Sequence, residues 1–65
     1  SYPDDLLQNV LLKKKIFNSL NVIKLDDGFQ QTIKDSNQDI IYKVTSNMIY
    51  FKDRKNHILI KIKNN

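Results

Sequence analysis

The chain of 65 residues contains no cysteine and no tryptophan, and only one glycine and one proline. Without cysteine it cannot form a disulfide, a thiolate zinc site or a thiol nucleophile. A single glycine excludes the glycine-rich loops that cradle nucleotide phosphates. The longest apolar run, Met48 to Phe51, is far too short to span a membrane. Because a lack of cysteine fits a reducing compartment, we expect an intracellular protein, cytoplasmic or nuclear.

Apolar residues make up 40% of the chain, enough for one small core and too many for a disordered segment. We therefore expect a single small domain over residues 1–65. A domain of this size buries only about 60% of the surface that its unfolded chain exposes, so its stability is marginal. Because the chain begins at Ser1 rather than at methionine, we expect it to be trimmed or cut from a longer protein.

Basic residues outnumber acidic residues by 11 to 7, which gives a net charge of +4. The excess is almost entirely lysine, and lysine, asparagine and isoleucine are the residues that AT-rich genomes favour. Part of the charge therefore reflects codon usage, which weakens the inference from basic charge to a nucleic-acid partner.

The N-terminal third has helical periodicity, and we predict a helix from Tyr2 to Leu20. Pro3 suits the first turn of a helix. The lysine run 13–15 spans about 200° of a helix, so its side chains cannot share one face. The alternative is a break at this run, with residues 16–20 leading into a sheet. The apolar stripe of the helix comprises Leu6, Leu7, Val10, Leu11, Phe17 and Leu20.

From Asn21 onward the hydrophobic period changes to two, which is typical of strands. The Asp27-Gly28 pair signals a hairpin, because glycine accepts a positive φ without steric cost. Gln31 is the one misfit on an apolar face that also holds Phe29 and Ile33. The predicted strands are Val22–Leu25, Phe29–Lys34, Asp39–Thr45, Met48–Lys52 and His57–Lys63.

Short connections make neighbouring strands antiparallel, so we predict an α+β fold: an N-terminal helix followed by a four- to five-stranded antiparallel meander. The sheet either stays open beneath the helix or closes into a small, partly closed barrel. Bending a sheet normally uses bulges or glycines. Because the only glycine lies in a turn, the open, twisted sheet is favoured.

Residues that carry catalysis or bind metals are scarce. Ser46, His57 and Asp53 are the residue types of a nucleophilic triad, but nothing in their spacing brings them together. The turn aspartates lack the alternating spacing of a calcium loop. A chain this short also leaves little room for a substrate pocket, which typically needs about 300 Å³ or more. We therefore expect no enzyme activity, no metal site, no cofactor and no small-molecule substrate.

Basic and aromatic residues are interleaved, as they are in sheets that bind single-stranded nucleic acid. Lysines would contact phosphates and Tyr50 would stack on a base, whereas Tyr42 and Phe51 fit the apolar face and are predicted core residues. With one arginine, bidentate recognition of bases is scarce. The candidate residues are Lys13, Lys14, Lys15, Lys52, Arg54, Lys55, Lys61, Lys63 and Tyr50.

Apolar residues in excess of those a small core needs favour a protein-interaction role. The helix stripe is wider than one small sheet can cover, and the last strand can form a sheet edge that pairs with another chain. Without tryptophan or a strongly basic face, the helix does not favour membrane attachment. The candidate contact residues are Leu7, Leu11, Leu12, Ile58, Leu59 and Ile60.

The order of elements, a short helix followed by five antiparallel strands, resembles that of Sm-like proteins over most of the chain. The resemblance implies a small barrel that assembles into a ring and binds RNA. Two sequence marks of the family differ. The second strand has Gln30 and Gln31 where that family commonly carries a glycine, and His57 follows Asn56 where the bacterial branch has a Tyr-Lys-His run. No functional residue is carried over from the family.

Together these patterns predict a non-catalytic protein-interaction or oligomerisation module that uses the apolar face of the helix, a sheet edge, or both. The alternative is a small basic domain that binds RNA or single-stranded DNA through surface lysines.

Overall fold

The computed structural model describes residues 2–64 and shows a short helix on one face of a five-stranded sheet. Helix α1 is Leu6–Leu11, and a 3-10 turn follows at Phe17–Ser19. The strands are β1 (Val22–Leu25), β2 (Gly28–Lys34), β3 (Asp39–Thr45), β4 (Met48–Asp53) and β5 (Ile58–Lys63).

Neighbouring strands are antiparallel and lie in chain order, from β1 at one edge to β5 at the other. The predicted α+β meander is therefore confirmed. The sheet stays open, as the single glycine favoured, and so differs from the small barrel that the Sm-like resemblance implied.

The prediction of one helix from Tyr2 to Leu20 is wrong, and the alternative of a break at the lysine run is what the structure has. Lys13 adopts a left-handed φ of 61° just beyond α1. Its N–H donates to the Val10 carbonyl at 3.0 Å, and the N–H of Lys14 donates to the Asn9 carbonyl at 2.9 Å. These two bonds form a Schellman motif, which ends a helix. Glycine usually fills the left-handed position, so the residue type of Lys13 does not mark the helix end, and the only indication in the sequence was the run of three lysines.

Gln31, the misfit in the second strand, is buried beneath the segment that follows the helix. Its side-chain oxygen accepts the N–H of Ile16 at 2.9 Å. Its side-chain amide donates to the carbonyls of Ile16 at 2.8 Å and Leu20 at 2.7 Å. One polar side chain therefore supplies the hydrogen bonds that this irregular backbone cannot make within a helix or a sheet.

The core lies between the sheet and the N-terminal segment. Tyr42 and Phe51 are fully buried, as predicted, with their rings packed edge to face at a centroid distance of 6.1 Å. The Tyr42 hydroxyl donates to the Lys14 carbonyl at 2.7 Å, which ties the end of the helical segment to the sheet. Leu20, predicted to lie on the apolar stripe, is instead exposed because the helix has already ended. The buried apolar residues are Leu6, Val10, Ile16, Ile33, Ile40, Tyr42, Val44, Ile49 and Phe51.

Gly28 is required for a different reason from the predicted one. It does not have a positive φ, and it begins β2 after the two-residue Asp26–Asp27 turn. A Cβ atom at this position would lie 1.8 Å from the carbonyl oxygen of Val44. Glycine is therefore needed so that β2 can approach the backbone of β3 closely.

Candidate functional site

The free edge of β5 is flanked by a row of isoleucines on the core side of the sheet. Ile58, Ile60 and Ile62 pair with β4 residues whose side chains are buried. Ile58 and Ile60 are only half-buried, and Ile62 is 38% exposed. The six-residue helix α1 is about 9 Å long, whereas five strands span about 19 Å. The helix therefore cannot cover the whole core face, and the β5 row remains incompletely buried.

The backbone of β5 presents hydrogen-bonding groups outward. The N–H of Asn64 donates to the Asn47 carbonyl at 2.8 Å, which sets the phase of the β4–β5 ladder. Because hydrogen-bonded residues alternate along an antiparallel strand, Ile58, Ile60 and Ile62 bond to β4. The N–H and carbonyl groups of the intervening residues, Leu59 and Lys61, point away from the sheet. Such a row is what an added strand needs in order to pair.

The helix exposes part of its apolar stripe. Leu6 and Val10 are buried in the core, whereas Leu7, Leu11 and Leu12 are 39%, 54% and 55% exposed. These three predicted contact residues therefore form an accessible apolar surface on the helix. It lies on a different element from the β5 edge.

The three predicted contact residues of β5 do not share one surface. Ile58 and Ile60 point to the core side, while Leu59 points to the opposite face and is 61% exposed. Strand geometry imposes this division, because successive side chains point to opposite faces of a sheet.

The face of the sheet opposite the core, called the outer face from here on, is predominantly basic. Every strand side chain on it is exposed or half-exposed. Within the strands, all of whose residues are described, Asp39 is its single acid, and the Arg54 guanidinium pairs with that carboxylate at 3.0 Å. Five lysines and one aspartate give the strands of this face a formal charge of 5 − 1 = +4. The lysines are Lys34, Lys43, Lys52, Lys61 and Lys63.

Tyr50 occupies the middle of the outer face. It lies directly opposite Lys43 of β3 and Lys61 of β5. Cβ atoms of directly opposed residues are about 4.5–5.5 Å apart, so two lysine stems flank the tyrosine ring. Ile41 and Leu59 add exposed apolar surface to the same face, two residues along their strands from Lys43 and Lys61.

The structure does not place all the predicted nucleic-acid residues on one surface. Lys52, Lys61, Lys63 and Tyr50 lie on the outer face, and Arg54 and Lys55 lie in the turn that follows β4.

The lysine run follows α1 on the core side, where the ammonium group of Lys15 lies 5.0 Å from the centroid of the Phe29 ring. Lys13, Lys14 and Lys15 are therefore separated from the strand lysines by the sheet. Sequence reasoning missed Lys34 and Lys43, although the alternation of Lys43 with the buried Tyr42 and Val44 was a sufficient signal.

Asp53 is a buried carboxylate that ties three segments together. Its oxygens accept hydrogen bonds from the Tyr2 hydroxyl, from the backbone N–H of Asp39 at 2.9 Å and Lys55 at 3.0 Å, and from the side-chain amide of Asn56 at 2.7 Å. Burial alone would raise the pKa of Asp53, but these hydrogen bonds outweigh burial and hold its pKa well below the usual range. Burial and the contact with Asp53 raise the pKa of Tyr2 to about 12.

The three residue types of a nucleophilic triad, Ser46, His57 and Asp53, are far apart in the structure. The Ser46 hydroxyl bonds to the Asp27 carboxylate at 3.0 Å, at the turn between β3 and β4. Asp53 is the last residue of β4 and His57 lies beyond that end of the strand, about 20 Å from Ser46 for a strand of six residues. Among residues 2–64, no three His, Cys, Asp or Glu side chains gather into a group suited to a metal ion. No helix in that part of the chain is long and apolar enough to cross a membrane.

Two clefts give the molecule more room for a ligand than its length led us to expect. One, of about 380 Å³, lies between α1 and residues 15–19. The other, of about 310 Å³, lies at the end of the β4–β5 hairpin beside His57, Lys52 and Leu59. Both reach the lower range of small-ligand sites. The carboxylate in the second cleft is Asp53, whose oxygens already accept the hydrogen bonds described above.

Comparison of the chain with protein families, with curated proteins and with solved structures found no match. The sheet offers two surfaces for a partner, the β5 edge and the outer face.

Proposed function

We propose that this protein is a non-catalytic interaction module that pairs with another protein chain through the edge of β5. The supporting observation is that one edge combines outward-facing backbone groups with an incompletely buried isoleucine row. An added strand would satisfy those backbone groups and extend the core over the row. The expected intracellular location, cytoplasmic or nuclear, is part of the same proposal.

A second copy of this chain fits the edge best. In an antiparallel pairing of two copies centred on Ile60, Ile58 of one copy faces Ile62 of the other. Leu59 then faces Lys61, and both present their backbone groups outward, so the ladder continues. A pairing centred on Lys61 would instead place two lysines directly opposite each other, which is destabilising. We therefore expect a homodimer in the register centred on Ile60, which places every isoleucine of the row opposite another isoleucine.

The pairing also compensates for the small core. Full burial of an isoleucine side chain contributes about 1.5–3 kcal/mol relative to exposure. Ile60 and Ile62 are buried only in part, so each retains a fraction of this value to gain from a partner strand. A domain of 65 residues has a total stability of only about 3–10 kcal/mol, so the gain is substantial.

Sedimentation equilibrium of the chain and of four variants tests the proposal. Leu59→Pro removes an outward N–H that β4 does not use, and proline is tolerated on edge strands. Ile62→Lys places a charge in the dimer contact at a position that is already 38% exposed. We expect a dimer for the unaltered chain and monomers for both variants. Circular dichroism establishes that each variant retains its sheet.

The matched controls are Leu59→Ala, which keeps the outward N–H, and Leu11→Lys, which charges the exposed helix surface instead. Both controls should remain dimeric. A monomeric unaltered chain at about 1 mM, where even a binding free energy of about −4 kcal/mol gives measurable association, would contradict self-pairing. Dissociation by Leu11→Lys but not by Leu59→Pro would move the contact from the β5 edge to the helix.

A further inference from the structure

We infer that the outer face of the sheet is a binding site for single-stranded nucleic acid. In this site the strand lysines contact phosphates and Tyr50 stacks on a base. The site lies on the opposite face of the sheet from the isoleucine row, so it does not depend on the proposed pairing at β5.

Charge complementarity supports an anionic ligand. The strands of the outer face carry a formal charge of +4, and the single acid among them is already paired with Arg54. The remaining acids of the described chain lie in turns, before α1, or buried on the core side as Asp53. Phosphates that meet this face therefore encounter several lysines and no unpaired carboxylate on the strands. Neutralising phosphates releases condensed counterions, which drives association with nucleic acid.

The position of Tyr50 favours nucleic acid over an acidic protein. Its half-exposed ring stands between Lys43 and Lys61 in one row across three strands. A base can stack on the ring while the phosphates on either side reach the two ammonium groups. An acidic peptide would use the lysines but has no need of the ring. Because the bases of a duplex are stacked on one another, stacking on the half-exposed ring of Tyr50 selects a single strand.

Fluorescence anisotropy with a labelled oligothymidylate of about 12 nucleotides tests the site, with binding measured over a series of salt concentrations. If all five outer-face lysines contact phosphates, the slope of log K against log salt should be about −3.5. Replacing two of them in Lys43→Gln/Lys61→Gln should reduce the slope to about −2. Tyr50→Ala should weaken binding about tenfold, while Tyr50→Phe, which keeps the ring, should not.

The matched control is Lys13→Gln/Lys14→Gln, which removes the same charge on the other side of the sheet and should leave the slope unchanged. Equal losses from the two double variants would overturn the site, because binding would then follow net charge alone. Absence of binding at low salt would also overturn it. Binding of polyglutamate but not of the oligonucleotide, with the same dependence on Lys43 and Lys61, would assign the face to an acidic protein instead.

The failure of this site is distinguishable from failure of the proposed pairing. Lys43→Gln/Lys61→Gln should keep the sedimentation mass of the unaltered chain, because it changes no backbone group and none of the isoleucines. Salt also acts in opposite directions: it weakens nucleic-acid binding and, by screening the like-charged copies, strengthens self-association.

Discussion

The hydrogen bonds of Gln31 give a direct test of what holds the N-terminal segment on the sheet. Replacing Gln31 by methionine keeps the length of the side chain and removes all its polar atoms. The three bonds to the backbone of Ile16 and Leu20, at 2.7–2.9 Å, are lost. Each contributes about 1 kcal/mol, and a buried group left without a partner costs about 1–3 kcal/mol. Ile16 is buried and cannot recover its bonds from water, whereas the exposed Leu20 can.

We therefore expect Gln31→Met to lower the free energy of unfolding by about 3 kcal/mol. That is a large share of the roughly 3–10 kcal/mol available to a chain of 65 residues. Urea denaturation followed by circular dichroism measures the loss. If the variant is unfolded without urea, the comparison is made in sucrose, which strengthens burial in both proteins.

The adjacent Gln30→Met is the matched control, because Gln30 lies on the outer face opposite Lys43 and is half-exposed. It should change the free energy of unfolding by less than about 0.5 kcal/mol. Equal midpoints for Gln31→Met and Gln30→Met would refute the reasoning, since the segment would then be held by apolar contacts alone.

Two further predictions concern other contacts of the fold. Gly28→Ala should lower the melting temperature by about 10 °C or more, because the new Cβ lies 1.8 Å from the Val44 oxygen and must push two strands apart; an unchanged thermal transition would contradict this. Asp53→Asn should destabilise the protein by about 2–4 kcal/mol at pH 7, because an amide cannot accept the same set of donors. Since the pKa of Asp53 is lowered on folding, its contribution is present above the usual carboxyl range and is lost as pH falls below it. The urea midpoints at pH 7 and pH 3 should therefore differ less for Asp53→Asn than for the unaltered chain. An equal difference in the two proteins would show that Asp53 does not contribute to the loss of stability at low pH.

The strands were predictable because their signal is local. Alternation of apolar and polar residues in Ile40–Val44 and around Phe51 indicates which side chains face the core, and short turns leave antiparallel pairing as the main solution. The same alternation places Lys43 and Tyr50 on the outer face. The basic surface could thus have been predicted from the sequence, although the candidate residues left out Lys34 and Lys43 and included the lysine run 13–15, which lies on the core side.

The sequence left two alternatives for the end of the helix, Leu20 or a break at the lysine run, and a contact between distant segments supports the break. Leu6 to Leu20 keeps a helical apolar pattern, yet Lys13 takes the left-handed position that usually calls for glycine. Tyr42 of β3 lies outside that pattern, and its hydroxyl donates a hydrogen bond to the Lys14 carbonyl. The spacing of residues 12–20 does not indicate that the Lys14 carbonyl has a hydrogen-bond partner in the sheet.

The chain by itself therefore determined the class of the fold, the bounds of the strands to within one residue and the polarity of both faces, since each follows from neighbouring residues. Tertiary structure alone decided the roles of Gln31 and Asp53 and the incomplete burial of the isoleucine row along the predicted β5 edge. In the sequence Gln31 was only a polar residue on an apolar face, because the backbone groups that it bonds, those of Ile16 and Leu20, reach it only in the folded structure. Asp53 lay just outside the predicted fourth strand, and its role was not predicted because its hydrogen-bond donors come from the N-terminal segment and β3 as well as from its own turn. The isoleucine row stays partly exposed because a six-residue helix is too short to cover five strands; the helix ends in a local Schellman motif, and the Tyr42 hydroxyl of β3 holds that end on the sheet.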